Sequence, residues 1–434
     1  MNRIALVMHT TSYGAAGFVE ACRRAGSDVV LASDRCHVLD RVWMWPADSL
    51  VIDFGDPEGA AAVIAAADAG GSPIAAVLPV GGELPAKVAA AAARRLGLAA
   101  NAPAAMAAAA NKLFMRRRLS AAAATDPAIR QPRFAAFACG TDPGAVADRV
   151  SAPDGVGFPC VVKPLMLSGS RGVMRADDRP SLAAAIARLE RLLADPAVRR
   201  PDPEAAGQFL VESFVPGPEL ALEGLLTRGA LEVLALFDKP DPLDGPTFEE
   251  TMYVTPSRLP PADQRRLRDA VAAAARALGL ETGPVHAELR FNPTGGPVLL
   301  ELAARPIGDL CSHSLRFGGE LSLEDVVVRH ALGAGDTPTR VGGASGVMMI
   351  PTPARVPSAL RAVDGVEAAR AVPGIDDVVI SVRVGETLVP LPEGNSYTGF
   401  VFATGATPAF VEQALRDALS HLHFTIAPLA PVTR

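Results

Sequence analysis

The chain has 434 residues, 49% of them hydrophobic and 20% charged, with 41 basic and 47 acidic side chains and a formal net charge of -6. That length exceeds what one hydrophobic core serves, so three or four subdomains are expected. The mildly acidic balance gives no electrostatic reason to expect nucleic acid or an anionic membrane as a partner, and five cysteines without a CxxC pair predict a reducing cytoplasm.

Ile4 to Met8, a helical stretch near Phe18 to Ala25, and Val29 to Ala32 predict a β-α-β opening. Ile74 to Pro79 predicts a later strand before an alanine-rich helix, and together these elements predict a small parallel α/β domain. Its first loop, His9 to Gly17, occupies the place where such sheets bind ligands, unless it is a plain glycine-containing connection. The run Ile4 to Met8 is too short for a signal-peptide core. Alanine runs at 89–93, 107–110 and 121–124 lack the bulk and length of a membrane span and read as helix surface. Asn101 and Pro103 mark a helix start that leads to Asn111-Lys112-Leu113-Phe114-Met115.

The apolar run Phe158 to Pro164 carries Lys163 near its end and opens into Leu167-Ser168-Gly169-Ser170-Arg171-Gly172-Val173. Glycines let backbone N–H groups approach phosphate oxygens closely, and the strand lysine reaches the same charge. The pattern is neither the Walker loop nor the dinucleotide fingerprint, and its bland alternative is a mobile hairpin. Arg199 to Pro203 separates a helix from a strand-turn-strand unit, Phe209 to Glu219 followed by Leu220 to Leu226. Asp238-Lys239 closes another apolar run, and Phe248-Glu249-Glu250 precedes Pro256.

Val285 to Arg290 and Val298 to Arg305 flank the turn formers Asn292 to Pro297 and read as a hairpin. Alternation places His286, Glu288 and Arg290 on one side, with Glu301, Ala303 and Arg305 doing the same next door. Hard carboxylate oxygens of this kind suit magnesium, which completes its shell with water and nucleotide phosphate. The alternative is a solvated strand face. Gly333 to Pro338 closes this region. Gly346 to Ile350 then begins a last domain of short strands, with turns at Pro373-Gly374 and Pro392-Glu393-Gly394-Asn395 and a helix near Pro408 to Leu422.

In this order the pieces resemble the ATP-grasp superfamily, directly over residues 105 to 330. The resemblance implies an α/β chain of α+β subdomains: an N-terminal parallel α/β domain (1–104), a small subdomain (105–205), a large subdomain (206–338) and a C-terminal β-rich, lid-like α+β domain (339–434). It implies that Lys112 and Lys163 contact ATP phosphates and the adenine edge, and that Ser168, Gly169, Ser170 and Gly172 belong to the loop folding over the phosphates. Glu212, with the backbone of Phe214 and Val215, matches the adenine hinge, and Glu219 matches the ribose carboxylate. Glu288 and Glu301 match the ligands of magnesium, or of manganese in its place, and Arg305 matches an arginine near the transferred phosphoryl group. His286 is expected to orient a substrate group or assist amine deprotonation, and Glu250, His286, Arg305 and Gly308 are expected to meet substrate.

Many members read Glu-x-Asn at the second metal position, whereas here Glu301-Leu302-Ala303 puts alanine in the asparagine's place. The segment Glu301 to Asp309 looks like the version in amino-acid ligases that make dipeptides. The implied activity is a cytoplasmic, ATP- and magnesium-dependent joining of a small carboxylate to an amine through an acyl-phosphate, with a homodimer as one compatible assembly. Two alternatives stay open: an acceptor other than an amino acid, bicarbonate included, and a nucleotide-binding regulator weakened at Ala303.

Overall fold

A computed structural model describes residues 2–10, 12, 14–34, 48–68, 72–292, 295–334, 336–394 and 397–429. Thr11 and Tyr13 of the first loop, Cys36, the turn residues Pro293 and Thr294, and Asn395 lie outside the described residues.

The opening stretch forms β1 (Arg3–Met8), β2 (Asp28–Ser33), β3 (Asp48–Val51) and β4 (Ile74–Val80), in the order β3-β2-β1-β4. Every pairing is parallel. Parallel neighbours need long crossovers, and the helices Ala15–Arg24, Pro57–Asp68 and Glu83–Arg95 cover the apolar strands.

The alanine runs expected at helix surfaces divide in the fold. Ala121, Ala123 and Ala124 are exposed, but Ala89, Ala91, Ala92 and Ala93 are buried, as are Ala108, Ala109 and Ala110. A methyl side chain lets a helix backbone approach its neighbour closely, so these runs fill interfaces that larger side chains would hold apart.

A four-stranded antiparallel sheet follows, made of β5 (Phe134–Ala138), β6 (Cys160–Pro164), β7 (Met174–Ala176) and β8 (Gln208–Ser213), in the order β5-β8-β6-β7. The helices Pro143–Ser151 and Arg179–Ala194 bury Val146, Val150, Leu182, Ile186 and Leu189 against Val162, Phe209 and Val211. Asp178 caps the longer helix by accepting from the Ser181 N–H.

The remaining strands are β9 (Glu219–Thr227), β10 (Ala230–Lys239), β11 (Met252–Thr255), β12 (Gly283–Asn292), β13 (Gly296–Ala303), β14 (Ala344–Ile350), β15 (Ser358–Asp364), β16 (Ile375–Ile380), β17 (Thr387–Leu388), β18 (Gly399–Gly405) and β19 (His423–Pro428). Eight of them build one antiparallel sheet in the order β13-β12-β9-β10-β11-β14-β18-β16, and three build a small sheet, β17-β15-β19. The large sheet therefore runs on across residue 338. Its two faces serve two cores, as strand alternation requires: Ala221 and Leu225 of β9 join one, while Leu220, Leu222 and Leu226 join the other. The first core reaches Ile4, Leu6 and Phe18 of the N-terminal domain, and the second packs on the helix Pro261–Leu278. No helix among the described residues is long and apolar enough to cross a membrane.

Candidate active site

The hairpin is built as its alternation predicts. Across β12 and β13, Glu288 faces Glu301 and His286 faces Ala303 in direct register. With them, Lys112, Lys163, Ser168, Gly169, Ser170, Glu212, Phe214, Val215, Glu219, Glu250 and Arg305 line a single cavity between the four-stranded antiparallel sheet and the eight-stranded sheet. Gly172 and Gly308 are not among the lining residues. Gly172 is packed under the loop, where an added Cβ would come within 3.0 Å of Leu189 and 3.2 Å of Leu192.

At the inner end of the cavity, β6 and β8 are paired, so Lys163 lies beside Glu212 and its Nζ donates to that carboxylate at 2.9 Å. Arg116 donates to the same group from the other side at 2.6 and 3.1 Å, and its Nη2 also donates to the Leu300 carbonyl at 2.6 Å. Its Nη1 is buried without a hydrogen-bond partner. Burial opposes ionisation of Glu212, but the two cations override it and hold the carboxyl at about 2. Arg116 follows Lys112 by one helical turn in the helix Lys112–Ala123, which starts where the Asn111 side chain accepts from the Leu113 and Phe114 N–H groups. Lys112 Nζ donates to the Leu167 carbonyl at 2.9 Å and lies 3.3 Å from Glu301. One helix thus ties the hinge strand, the glycine loop and β13 together.

A second cluster surrounds Lys239, whose Nζ donates to Glu219 at 2.8 Å, to Glu288 at 3.3 Å and to Glu250. Arg290 donates to Glu219 at 3.1 Å and to the Val215 carbonyl at 2.9 Å. Glu219, Glu250 and Glu288 each offer an oxygen within 4.8 Å of the others, a spacing that could also hold a cation. Burial first, then the charges of Glu288 and Glu219, push the Glu250 carboxyl up to about 7 despite Lys239. Glu288 moves the opposite way: burial is overridden by Lys239 and His286, which hold it well below the usual carboxylate range. Beyond the hinge, Phe214 lies 6.5 Å from Phe248 with near-parallel rings, and the guanidinium groups of Arg175 and Arg290 sit 4.4 and 5.0 Å from its face. Phe214 is thus held in place by cation–π contacts and a neighbouring ring.

Arg305 reaches the cavity from the end of β13 and is held there by Glu83, at 2.9 Å, from the N-terminal domain's helix Glu83–Arg95. His286 is fixed through Nδ1, 3.1 Å from the fully buried Glu223, which also accepts from the Ile307 N–H. Burial lowers the His286 pKa and its contacts with Glu223 and Glu288 raise it further, to about 9.

Three residues of this machinery, Arg116, Glu83 and Glu223, escape sequence reading, and two more, Lys239 and Arg290, are singled out there without a role. Lys239 and Arg290 carry a usable signal, a cation at a strand end or on the same alternating face as Glu288. Arg116 sits in an Arg116-Arg117-Arg118 run that reads as solvated helix, and Glu83 depends on a contact made 222 residues along the chain.

The donor set fits magnesium and a nucleoside triphosphate. Glu288 and Glu301 supply paired oxygens, Lys112 and Lys163 supply cations, and the loop supplies backbone donors. Comparison with known proteins agrees with this geometry. The ATP-grasp domain family matches residues 156–314, and the L-amino acid ligase C-terminal domain 2 family matches residues 353–427. An uncharacterised protein of Sinorhizobium fredii is 27% identical over 324 residues, 74% of this chain and 62% of that protein. A D-alanine–D-alanine ligase of Aromatoleum aromaticum is 32% identical over 186 residues, 42% of this chain and 53% of that one. The chain thus spans less than two thirds of the length of these curated relatives. Among solved structures, an L-amino acid ligase from Bacillus licheniformis superposes with a TM-score of 0.78 at 24% identity, covering 98% of both chains, and this shares the fold.

Proposed function

We propose that the chain, which matches the ATP-grasp domain family over residues 156–314 and the L-amino acid ligase C-terminal domain 2 family over residues 353–427, is an ATP-dependent carboxylate–amine ligase joining two amino acids or close analogues. The observation that carries this reading is the convergence of a phosphate-binding set, Lys112, Lys163 and residues 168–170, with a carboxylate pair and Arg305 on one cavity.

A carboxylate is a poor electrophile because its leaving group would be oxide. In the reading proposed here, a carboxylate oxygen of the first substrate attacks the γ-phosphorus of ATP and ADP leaves. The neutral amine of the second substrate then attacks the acyl carbon, phosphate leaves, and the nitrogen sheds a proton to form the amide. Glu288 and Glu301 would hold magnesium, which supplies Lewis-acid compensation for charge on the triphosphate. Lys112 and Lys163 grip phosphate oxygens. Glu212 accepts three bonds from Arg116 and Lys163, so its part is to aim the lysine and to offer its remaining acceptor capacity at the adenine edge. The loop excludes water from a reactive intermediate. Arg305, braced by Glu83, neutralises the incoming carboxylate, a task its planar fork suits better than an ammonium. His286, braced by Glu223, orients substrate from the neighbouring strand.

The test supplies ATP, magnesium and a panel of amino acids, alone and in pairs, and follows phosphate release. Phosphate release should depend on an amino acid, and Glu301→Gln should lose nearly all of it while retaining its far-ultraviolet circular dichroism. A folded Glu301→Gln variant with undiminished turnover contradicts the metal assignment. The regulator reading predicts nucleotide binding with no phosphate release under any pair.

A further inference from the structure

The loop's cavity-lining residues, Ser168, Gly169 and Ser170, are followed at once by two residues held from elsewhere in the molecule. The Gly172 N–H donates to the Pro392 carbonyl at 2.8 Å, and Arg171 Nε donates to the Glu393 carbonyl at 2.7 Å. The Glu393 carboxylate in turn accepts two bonds from Arg188, at 2.5 and 2.7 Å. Arg188 stands on the helix Arg179–Ala194, which also supplies Leu189 and Leu192 beneath Gly172. The loop end is thus gripped between a helix of its own subdomain and a turn from the C-terminal region. That turn is stiff by construction: the Gly394 N–H donates to the Pro390 carbonyl at 2.9 Å, and a Cβ on Gly394 would fall 1.8 Å from the Val389 carbonyl.

We propose that Glu393 is a positioning residue for the nucleotide loop, latching its C-terminal end to the C-terminal domain through Arg188 so that Ser168 to Ser170 stay over the cavity. The residue itself is not among those lining the cavity, so it acts through the loop. The inference rests on the reading of this loop as the cover of the triphosphate. Two bidentate bonds between a guanidinium and a carboxylate give a directional clamp, and both side chains are about two-fifths exposed, at 42% and 39%, so substitution leaves the cores intact. A loop freed at one end opens more often, which admits water to an activated acyl group and loosens phosphate contacts.

The experiment compares the wild type, Glu393→Ala, and the exchange pair Glu393→Arg with Arg188→Glu. One readout is the rate of tryptic cleavage after Arg171 in nucleotide-free protein, and the other is the ratio of amide formed to phosphate released. Glu393→Ala should be cut roughly three- to tenfold faster and give a several-fold lower ratio, and the exchange pair should recover both. Equal cleavage rates overturn the latch whatever the turnover. Faster cleavage with an unchanged ratio confines Glu393 to local stability and overturns its positioning role. If the wild type releases no phosphate with any amino acid, the ligase reading fails, and cleavage alone then decides the latch.

Discussion

The carboxylate of Glu212 is fixed by its neighbours Arg116 and Lys163. Glu212 lies near the end of β8, paired with both β5 and β6, so its backbone is committed to the ladder and only its carboxylate faces the cavity. Arg116 and Lys163 hold that carboxyl at about 2, below its ordinary value of 4.5. A depressed carboxyl contributes stability that is full above its unfolded value and is lost as pH falls through the folded one. Chemical denaturation between pH 5 and pH 2 should therefore show a loss of about 3 kcal/mol traceable to this group. Glu212→Gln should remove that part of the acid slope, and should cost about 3–5 kcal/mol at neutral pH by leaving two buried cations unpaired. An unchanged acid slope in the variant contradicts the assignment. Lys163, Glu288 and Glu301 were legible as cavity residues because an unusual charge stood in an apolar strand or alternated along one. Arg116 was not, because three consecutive arginines on a helix give no clue to which of them turns inward.

The hairpin β12–β13 and the β-α-β opening were readable because side-chain period fixes which face each residue takes, and burial then fixes the register. The alanine helices were misread for a physical reason. Alanine carries too little apolar area to mark a face, so a run of it looks alike whether it is solvated or packed at close range. The fold makes the difference measurable. Ala109→Leu, at a position only 4% exposed, should destabilise by about 1–3 kcal/mol through overpacking, while Ala123→Leu on the exposed side of its helix should change stability by less than about 0.5 kcal/mol. Denaturant midpoints of the two variants check this, and equal effects would contradict the packing described. The turn Pro392 to Gly394 was legible as a turn, but its partners Arg171 and Arg188 were not, because nothing local records a contact made more than 200 residues away.

At the scale of the whole molecule, each part meets the cavity with a different instrument. The N-terminal domain sends Glu83 to brace Arg305, the four-stranded antiparallel sheet carries Lys163 and leads into the loop, the eight-stranded sheet carries Glu219 and Glu288, and the C-terminal turn grips the loop. The order of these pieces was visible in sequence, whereas the continuity of the large sheet from β13 to β16 was not, since strand pairing across 338 leaves no local mark. Under the proposed function, cations over the β- and γ-phosphates would direct attack to the terminal phosphorus. The decisive measurement supplies an amino acid labelled with oxygen-18 in its carboxylate, together with ATP, magnesium and an acceptor amine, and follows the label. The account predicts ADP as the nucleotide product and one labelled oxygen in inorganic phosphate for each amide formed, whereas stoichiometric AMP, carrying the label, would contradict it.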